Sequence, residues 1–145
     1  MEYSQELSSE PLNTLIKAFS SYGGIDPDLF RPMSKYLEHL SLPEDHVLWK
    51  QGDPPDGLYI IESGVLRASY RFAEHIQHVE ESMVSGTLSG ELSALSALPR
   101  NATVVVERAV TLWKLSTENL ARLEAEEPRL AMYFFRLVLK GLSVA

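Results

Sequence analysis

Glu91 and Arg100 stand nine positions apart at the two ends of a short apolar run, in the stretch SGELSALSALPRNATV at residues 89–104. An ionised carboxylate only accepts hydrogen bonds, so Glu91 suits vicinal hydroxyls, as an acidic residue does on a ribose. A guanidinium presents a bidentate fork to a phosphate or a carboxylate, a contact worth about 1.5–3 kcal/mol net. Gly86 and Gly90 bracket the tripeptide TLS and let the backbone turn tightly there. Glu91 to Leu98 then reads as a helix of one or two turns, with Leu92 and Leu95 on its inner side and unpaired N–H groups at its start. Arg100, just past the helix end, can fold back over it. An anion clamp and a hydroxyl clamp on one short helix suit a sugar phosphate or a nucleotide. The same two side chains could instead pair with each other in a salt bridge that holds no ligand, and the chemistry alone leaves both readings open.

The remaining elements have to position this stretch. Leu12, Leu15, Ile16 and Phe19 recur at helical spacing from Pro11 to about Ser21, after a polar lead-in over residues 1–10 that is expected to be poorly ordered. Gly23 and Gly24 stop that helix. Asp26 reads as an N-cap with Pro27 at the first helical position, and Leu29, Phe30, Met33, Tyr36 and Leu37 give the next helix its apolar face, with Pro32 as a kink. Residues 11–40 are therefore expected to be helical. Over residues 41–116 the texture changes to short runs rich in Val, Ile, Leu and aromatics, broken by the turn GDPPDG at 52–57 and by a tight turn expected at Gly64. NATVVVE and VTLWKLS supply two further strands, split near Arg108 and Ala109. Evenly spaced short strands indicate a closed or double-sheet β structure. Over residues 117–145 helical spacing returns: Ser116 or Thr117 caps a helix carrying Leu120 and Leu123, and Pro128 opens a last helix. Leu130, Phe134, Leu137 and Gly141 form one face of it, but apolar residues spread around most of the cylinder. Such a helix buries more than one side.

The whole chain sets limits. Its 145 residues fit one domain, and 45% hydrophobic residues suffice for a sizeable core. A net charge of −7 with no basic run argues against nucleic acid as a partner. No apolar run reaches the roughly 20 residues of a membrane span, so no direct insertion of this segment is expected. No cysteine is present, which removes disulfides and thiolate metal sites and fits a cytoplasmic location. His75 and His78, three apart on a strand, point to opposite faces and should not share a metal. Ser93 and Ser96 have no histidine near them in sequence and no G-x-S-x-G around them, so no enzyme activity is expected. Trp49 and Trp113 read as core or rim packing, EAEEP at 124–128 as a solvated helix end, and the sequon at Asn101 as coincidence.

The stretch as a whole resembles the phosphate-binding cassette of the cyclic nucleotide-binding domain family. Gly90, Glu91, Leu92, Pro99, Arg100, Ala102, Thr103 and Val104 match its pattern at the right separations. Upstream, GDPPDGLYIIESGVLRASY looks like the family's strand pair, and downstream AVTLWKLSTENLARL fits the strand leading into its hinge helix, so the resemblance covers about residues 35–140. It implies an eight-stranded antiparallel jelly roll between helices and a ligand, cAMP or cGMP, with no further cofactor. By resemblance Arg100 would hold the cyclic phosphate and Glu91 the ribose 2′-hydroxyl. Backbone amides of Gly90, Leu92 and Ser93 would lie near the ribose phosphate, and Ala102 and Leu88 would line the pocket. Val65, Leu66 and Val79 would touch the base, with Tyr133, Phe134 or Phe135 as a cap from the last helix. Three positions depart from the pattern. Ser89 replaces an aromatic or aliphatic residue, Ser93 replaces Ala, and Asn101 occupies the position that sets the preference for base.

ESGVLRASY, VSGTLSGELSAL and RNATVVVERAVTLWKLSTENLARLEAEEP also resemble the cytosolic C-terminal tail of fungal SulP-type (sulfate-transporter-like) vacuolar transporters. That resemblance implies a regulatory domain at the cytosolic face of the vacuolar membrane, belonging to a larger parent protein or another effector. The competing expectation is a domain of the same fold that binds no nucleotide and acts as a structural or dimerisation module, with a homodimer formed through the C-terminal helix.

Overall fold

The computed structural model describes residues 2–72 and 75–144, and within them the side chains other than those of 2–10, 22, 72–81 and 142–144. The expectations that His75 and His78 share no metal and that Val79 touches the base concern side chains outside the described ones.

Helix α1 runs over Glu2–Phe19, a short α2 over Pro27–Phe30, and a 3-10 helix over Arg31–Tyr36. The strands are β1 (Glu38–Leu42), β2 (Val47–Trp49), β3 (Gly57–Phe72), β4 (His75–Val84), β5 (Leu88–Ser89) and β6 (Thr103–Ser116), with α3 (Glu91–Ser96) between β5 and β6. Helices α4 (Thr117–Glu126) and α5 (Pro128–Val144) close the chain. All strand pairs are antiparallel, in the order β1-β6-β3-β4, with β2 added to β6 and β5 to β3. The expected antiparallel roll with flanking helices is therefore present.

Local chemistry explains most boundaries. Asp26 accepts from the Asp28 amide and Ser116 from the Asn119 amide, each satisfying an orphan donor of the helix it opens. Pro32 has no N–H to continue α2, and the chain tightens into the 3-10 turn. Two expectations change. The lead-in at 2–10 is drawn into α1, because Glu, Gln and Leu propagate a helix well, and Pro11 lies inside it at the cost of one ladder hydrogen bond. The split expected at Gly64 and near Arg108 is a bend instead. Strands β3 and β6 run through these points with register shifts around Ile61, Ser63 and Val65. Each has two arms, and counting the arms separately recovers an eight-stranded roll.

The first arm of β3 and the second arm of β6 are buried on both faces, which is why LYII and VTLWKL read as nearly unbroken apolar runs. Leu58, Ile60, Trp113 and Leu115 face a core shared with Leu15, Phe19, Met33, Leu123 and Phe134 of the helices. Tyr59, Ile61, Val110 and Leu112 face the second core, inside the roll, with Trp49, Leu66, Ala68 and Ala102. Helix α5 buries Leu130, Ala131, Phe134 and Val138 and leaves Met132 and Leu139 exposed.

Gly64 marks the bend at a φ of +89°, and a Cβ there would lie 2.3 Å from the Ala109 carbonyl oxygen. Gly64→Ala is expected to lower unfolding free energy by ~2 kcal/mol through strain at a left-handed position and a forced shift of β6. Urea melts of the two proteins check this, with equal midpoints contradicting it.

Candidate functional site

Strand β5 ends at Ser89, and Gly90 turns the chain into α3 with a φ of +76°. Ten residues later, Arg100 returns to the same place. Its backbone is tied to the 52–57 turn, with the Arg100 amide donating to the Asp53 carbonyl at 2.8 Å and the Gly52 amide donating to the Arg100 carbonyl at 2.8 Å. Its side chain is buried, with 1% of its surface exposed. A buried charge has to be paired. Nη1 donates to the Gly90 carbonyl at 2.9 Å, and Nη2 donates to the Gly57 carbonyl at 2.6 Å and to Asp56 Oδ1 at 2.8 Å. The guanidinium carbon stands 3.8 Å from the centroid of the Trp49 ring, a cation–π contact of about 0.5–2 kcal/mol. Nε, also buried, has no hydrogen-bond partner among the described residues.

Gly90 has no side chain for a steric reason as well as a conformational one. A Cβ there would fall 2.4 Å from Arg100 Nη1 and 2.9 Å from the Trp49 ring. Ala97 ends α3 with a φ of +60°, an uncommon conformation for a residue with a Cβ. Ser93 is buried and turns its hydroxyl back to the Leu98 carbonyl.

A cavity of about 480 Å³ opens beside this cradle, a size suited to a small organic ligand. Gly90, Glu91, Leu92, Ser93, Arg100, Asn101 and Ala102 all line it, as does Leu88. Glu91 is half-buried, Ala102 is buried in the wall, and Asn101 lies exposed at the rim. Leu92 corrects an expectation: it is 52% exposed, while Ser93 and Ala94 face inward and Leu95 packs on the helical core. The short helix is held at both ends, by the Gly90 carbonyl and by Ser93, and this fixes its rotation.

The carboxylate that meets Arg100 is Asp56, not Glu91. Asp56 also accepts from Tyr59 Oη at 2.9 Å and Lys114 Nζ at 3.1 Å. Burial pushes its carboxyl up, but the Tyr59, Lys114 and Arg100 donors outweigh this and hold it below the ordinary aspartate range. Burial and the neighbouring Asp56 charge push the Tyr59 phenol up.

Neither Val65 nor Leu66 reaches the cavity. The bulge after Gly64 leaves Val65 half-buried outside its lining and seats Leu66 in the roll core, so Ala68 and Tyr70 line the cavity farther along β3. The aromatic cap is also absent from the lining. Phe134 is fully buried edge-on to Phe19, with centroids 5.9 Å apart. Leu137, Val138 and Gly141, one and two turns farther along α5, line the cavity instead. The sequence reading missed Trp49, Asp56 and Gly57 as parts of the cradle. The second aspartate of GDPPDG was the available signal, but its partner is 44 residues away.

The model of the family described as the cyclic nucleotide-binding domain matches residues 39–127. The chain is 30% identical over 135 residues to a cAMP-dependent protein kinase regulatory subunit of Yarrowia lipolytica, covering 90% of this chain and 35% of that protein. It is 24% identical over 121 residues to the CRP-like cAMP-activated global transcriptional regulator of Mycobacterium tuberculosis, covering 83% of this chain and 54% of the regulator. The chain thus spans about half of that regulator or less of the other relative. Among solved structures, a cyclic nucleotide-binding domain from Methylobacillus flagellatus superposes with a TM-score of 0.82 at 23% identity, over 94% of this chain and 79% of the other. The regulatory domain of Toxoplasma gondii PKA, co-crystallised with cAMP, gives 0.73 at 17% identity, over 96% and 52%. These two likenesses concern the fold.

The depressed Asp56 carboxyl links the cradle to pH. Its contribution to stability is complete above the unfolded aspartate value, ~4, and is lost as pH falls through the lower folded value. Asp56→Asn should therefore melt below wild type at neutral pH, with the gap narrowing below pH ~4. A gap that stays constant from pH 7 into that acid range would contradict the pairing.

Proposed function

The chain belongs to the cyclic nucleotide-binding domain family, and on that basis we propose that it is a regulatory module that senses a cyclic nucleotide, cAMP or cGMP. The observation that carries the reading is Arg100. It is buried at the wall of a cavity, held by three carbonyl and carboxylate partners, and still has an Nε–H without one. A buried donor of this kind matches an anionic oxygen, and an exocyclic phosphate oxygen supplies it. Glu91, on the same cavity, takes the ribose 2′-hydroxyl, and the amides around Gly90 and Ser93 face the ribose phosphate. Leu137 and Val138 of α5 meet the base, with Asn101 at the rim as the selector between adenine and guanine. The domain performs no chemistry in this role.

The signal leaves through α5. This helix touches both the cavity and α1, so a ligand that binds one arrangement of α5 more tightly shifts the population toward it. The receiver is a larger parent protein or a partner effector. The resemblance of several sequence stretches to SulP-type transporter tails favours a transporter of the vacuolar membrane, with this domain on the cytosolic side. No helix among the described residues is long and apolar enough to cross a membrane.

Two observations favour a second reading, a domain that binds no nucleotide. Asp56 and Gly57 already occupy part of the Arg100 fork, and Met132 and Leu139, seven apart on α5, form an exposed apolar stripe that a second copy could cover. Isothermal titration separates the two. The sensing reading predicts micromolar binding of cAMP or cGMP that Arg100→Ala abolishes in a protein that still melts cooperatively. No heat from either nucleotide at high micromolar concentration, with folded wild type, establishes the second reading.

A further inference from the structure

Ser89 carries an unexplained hydroxyl. It stands where the cassette pattern has an aromatic or aliphatic residue, it is 2% exposed, and its Oγ has no hydrogen-bond partner among the described residues. Strand β5 pairs Ser89 with Tyr59, and directly opposed residues of an antiparallel pair project to the same face. Tyr59 faces the interior of the roll, so Ser89 does too, and it lines the same cavity as Arg100. The guanidinium lies close by, because Arg100 Nη1 donates to the carbonyl of Gly90, the next residue in the chain. Two buried polar atoms without partners, Ser89 Oγ and Arg100 Nε, therefore flank Gly90 on one cavity. Nε can only donate, whereas a hydroxyl donates or accepts. The group that satisfies both at once is an anion with more than one acceptor oxygen. Ser93, a neighbouring serine of the cavity wall, is already committed to the Leu98 carbonyl.

We propose that Ser89 is a ligand-binding residue of the anion subsite, its hydroxyl donating to the same phosphate that Arg100 takes up through Nε. This rests on the sensing reading above. In the ligand-free protein the hydroxyl is a burden, since a buried polar group without a partner destabilises the fold. Only the bound anion makes it useful. Ser89→Ala, which removes one oxygen and nothing else, should thus act with opposite signs on stability and on binding. A purely structural hydroxyl cannot do this.

The experiment is isothermal titration of wild type, Ser89→Ala and Arg100→Lys with cAMP and with cGMP, each with a melt of the unliganded protein. The expected result is binding by wild type, weakened about tenfold or more in Ser89→Ala, with an unliganded melting temperature equal to or above wild type. Arg100→Lys, which keeps the charge and loses the fork, should also bind more weakly. Binding by Ser89→Ala within twofold of wild type overturns the assignment of Ser89 and leaves the sensing reading intact. Weaker binding with a lower unliganded melting temperature also overturns it, because the hydroxyl then supports the fold. If folded wild type binds neither nucleotide, the sensing reading fails and the role of Ser89 fails with it.

Discussion

A guanidinium withdrawn from water governs the geometry of this end of the molecule. Removing a charge of that kind from solvent costs several kcal/mol even after relaxation. Hydrogen bonds to a charged group return about 1.5–3 kcal/mol each, so three contacts and a stacked indole are of the size needed to hold Arg100 inside. Each of these partners then becomes a constraint. The carbonyls of Gly57 and Gly90 must point at one spot, Trp49 must lie flat beneath it, and position 90 must lack a side chain. The 52–57 turn, tied to the Arg100 backbone on both sides, is thus part of the cradle as well as a link between strands.

Strand β3 connects that cradle to the helices. Gly57 supplies a carbonyl to Arg100, and the next residues alternate between two cores: Leu58 and Ile60 toward the helical side, Tyr59 and Ile61 toward the roll. A strand buried on both faces at native packing density moves as a unit, since neither core has free space to absorb a shift. Helix α5 completes the circuit by touching the cavity at Leu137 and Val138 while it packs on Phe19 of α1 through Phe134. This continuity is a physical path between cavity and helices, and its use as a switch requires two populated arrangements of α5.

What was legible in the sequence was local. The cap residues Asp26 and Ser116, the proline starts of α2 and α5, and the cassette spacing all act within a few residues, and the cavity gathers every cassette residue expected there. What was not legible was set by distant partners. Gly64 looks like a turn glycine, but the reason for it is the Ala109 carbonyl across the sheet. Asp56 looks like part of a solvated turn and Trp49 like ordinary packing, until Arg100 arrives between them from far along the chain. The rotation of α5 was hidden because its apolar residues cover most of the cylinder. Only the fit of Leu130, Phe134 and Val138 against the other helices decides that Leu137 and Gly141, and not the neighbouring aromatics, look into the cavity. Ser89 was visible as a departure from the pattern, but its burial could not be read without the pairing to Tyr59.

On the sensing reading Arg100 is a preformed anion clamp with one donor held open. The most direct test is the 15Nε–1Hε resonance of Arg100, assigned through its loss in Arg100→Lys, during titration with cAMP and then cGMP. A clamp of this kind should give a saturable downfield proton shift and slower solvent exchange with at least one of them, as Nε–H gains a charged acceptor. A resonance that stays unmoved while the protein is folded and the nucleotide is in large excess would contradict it.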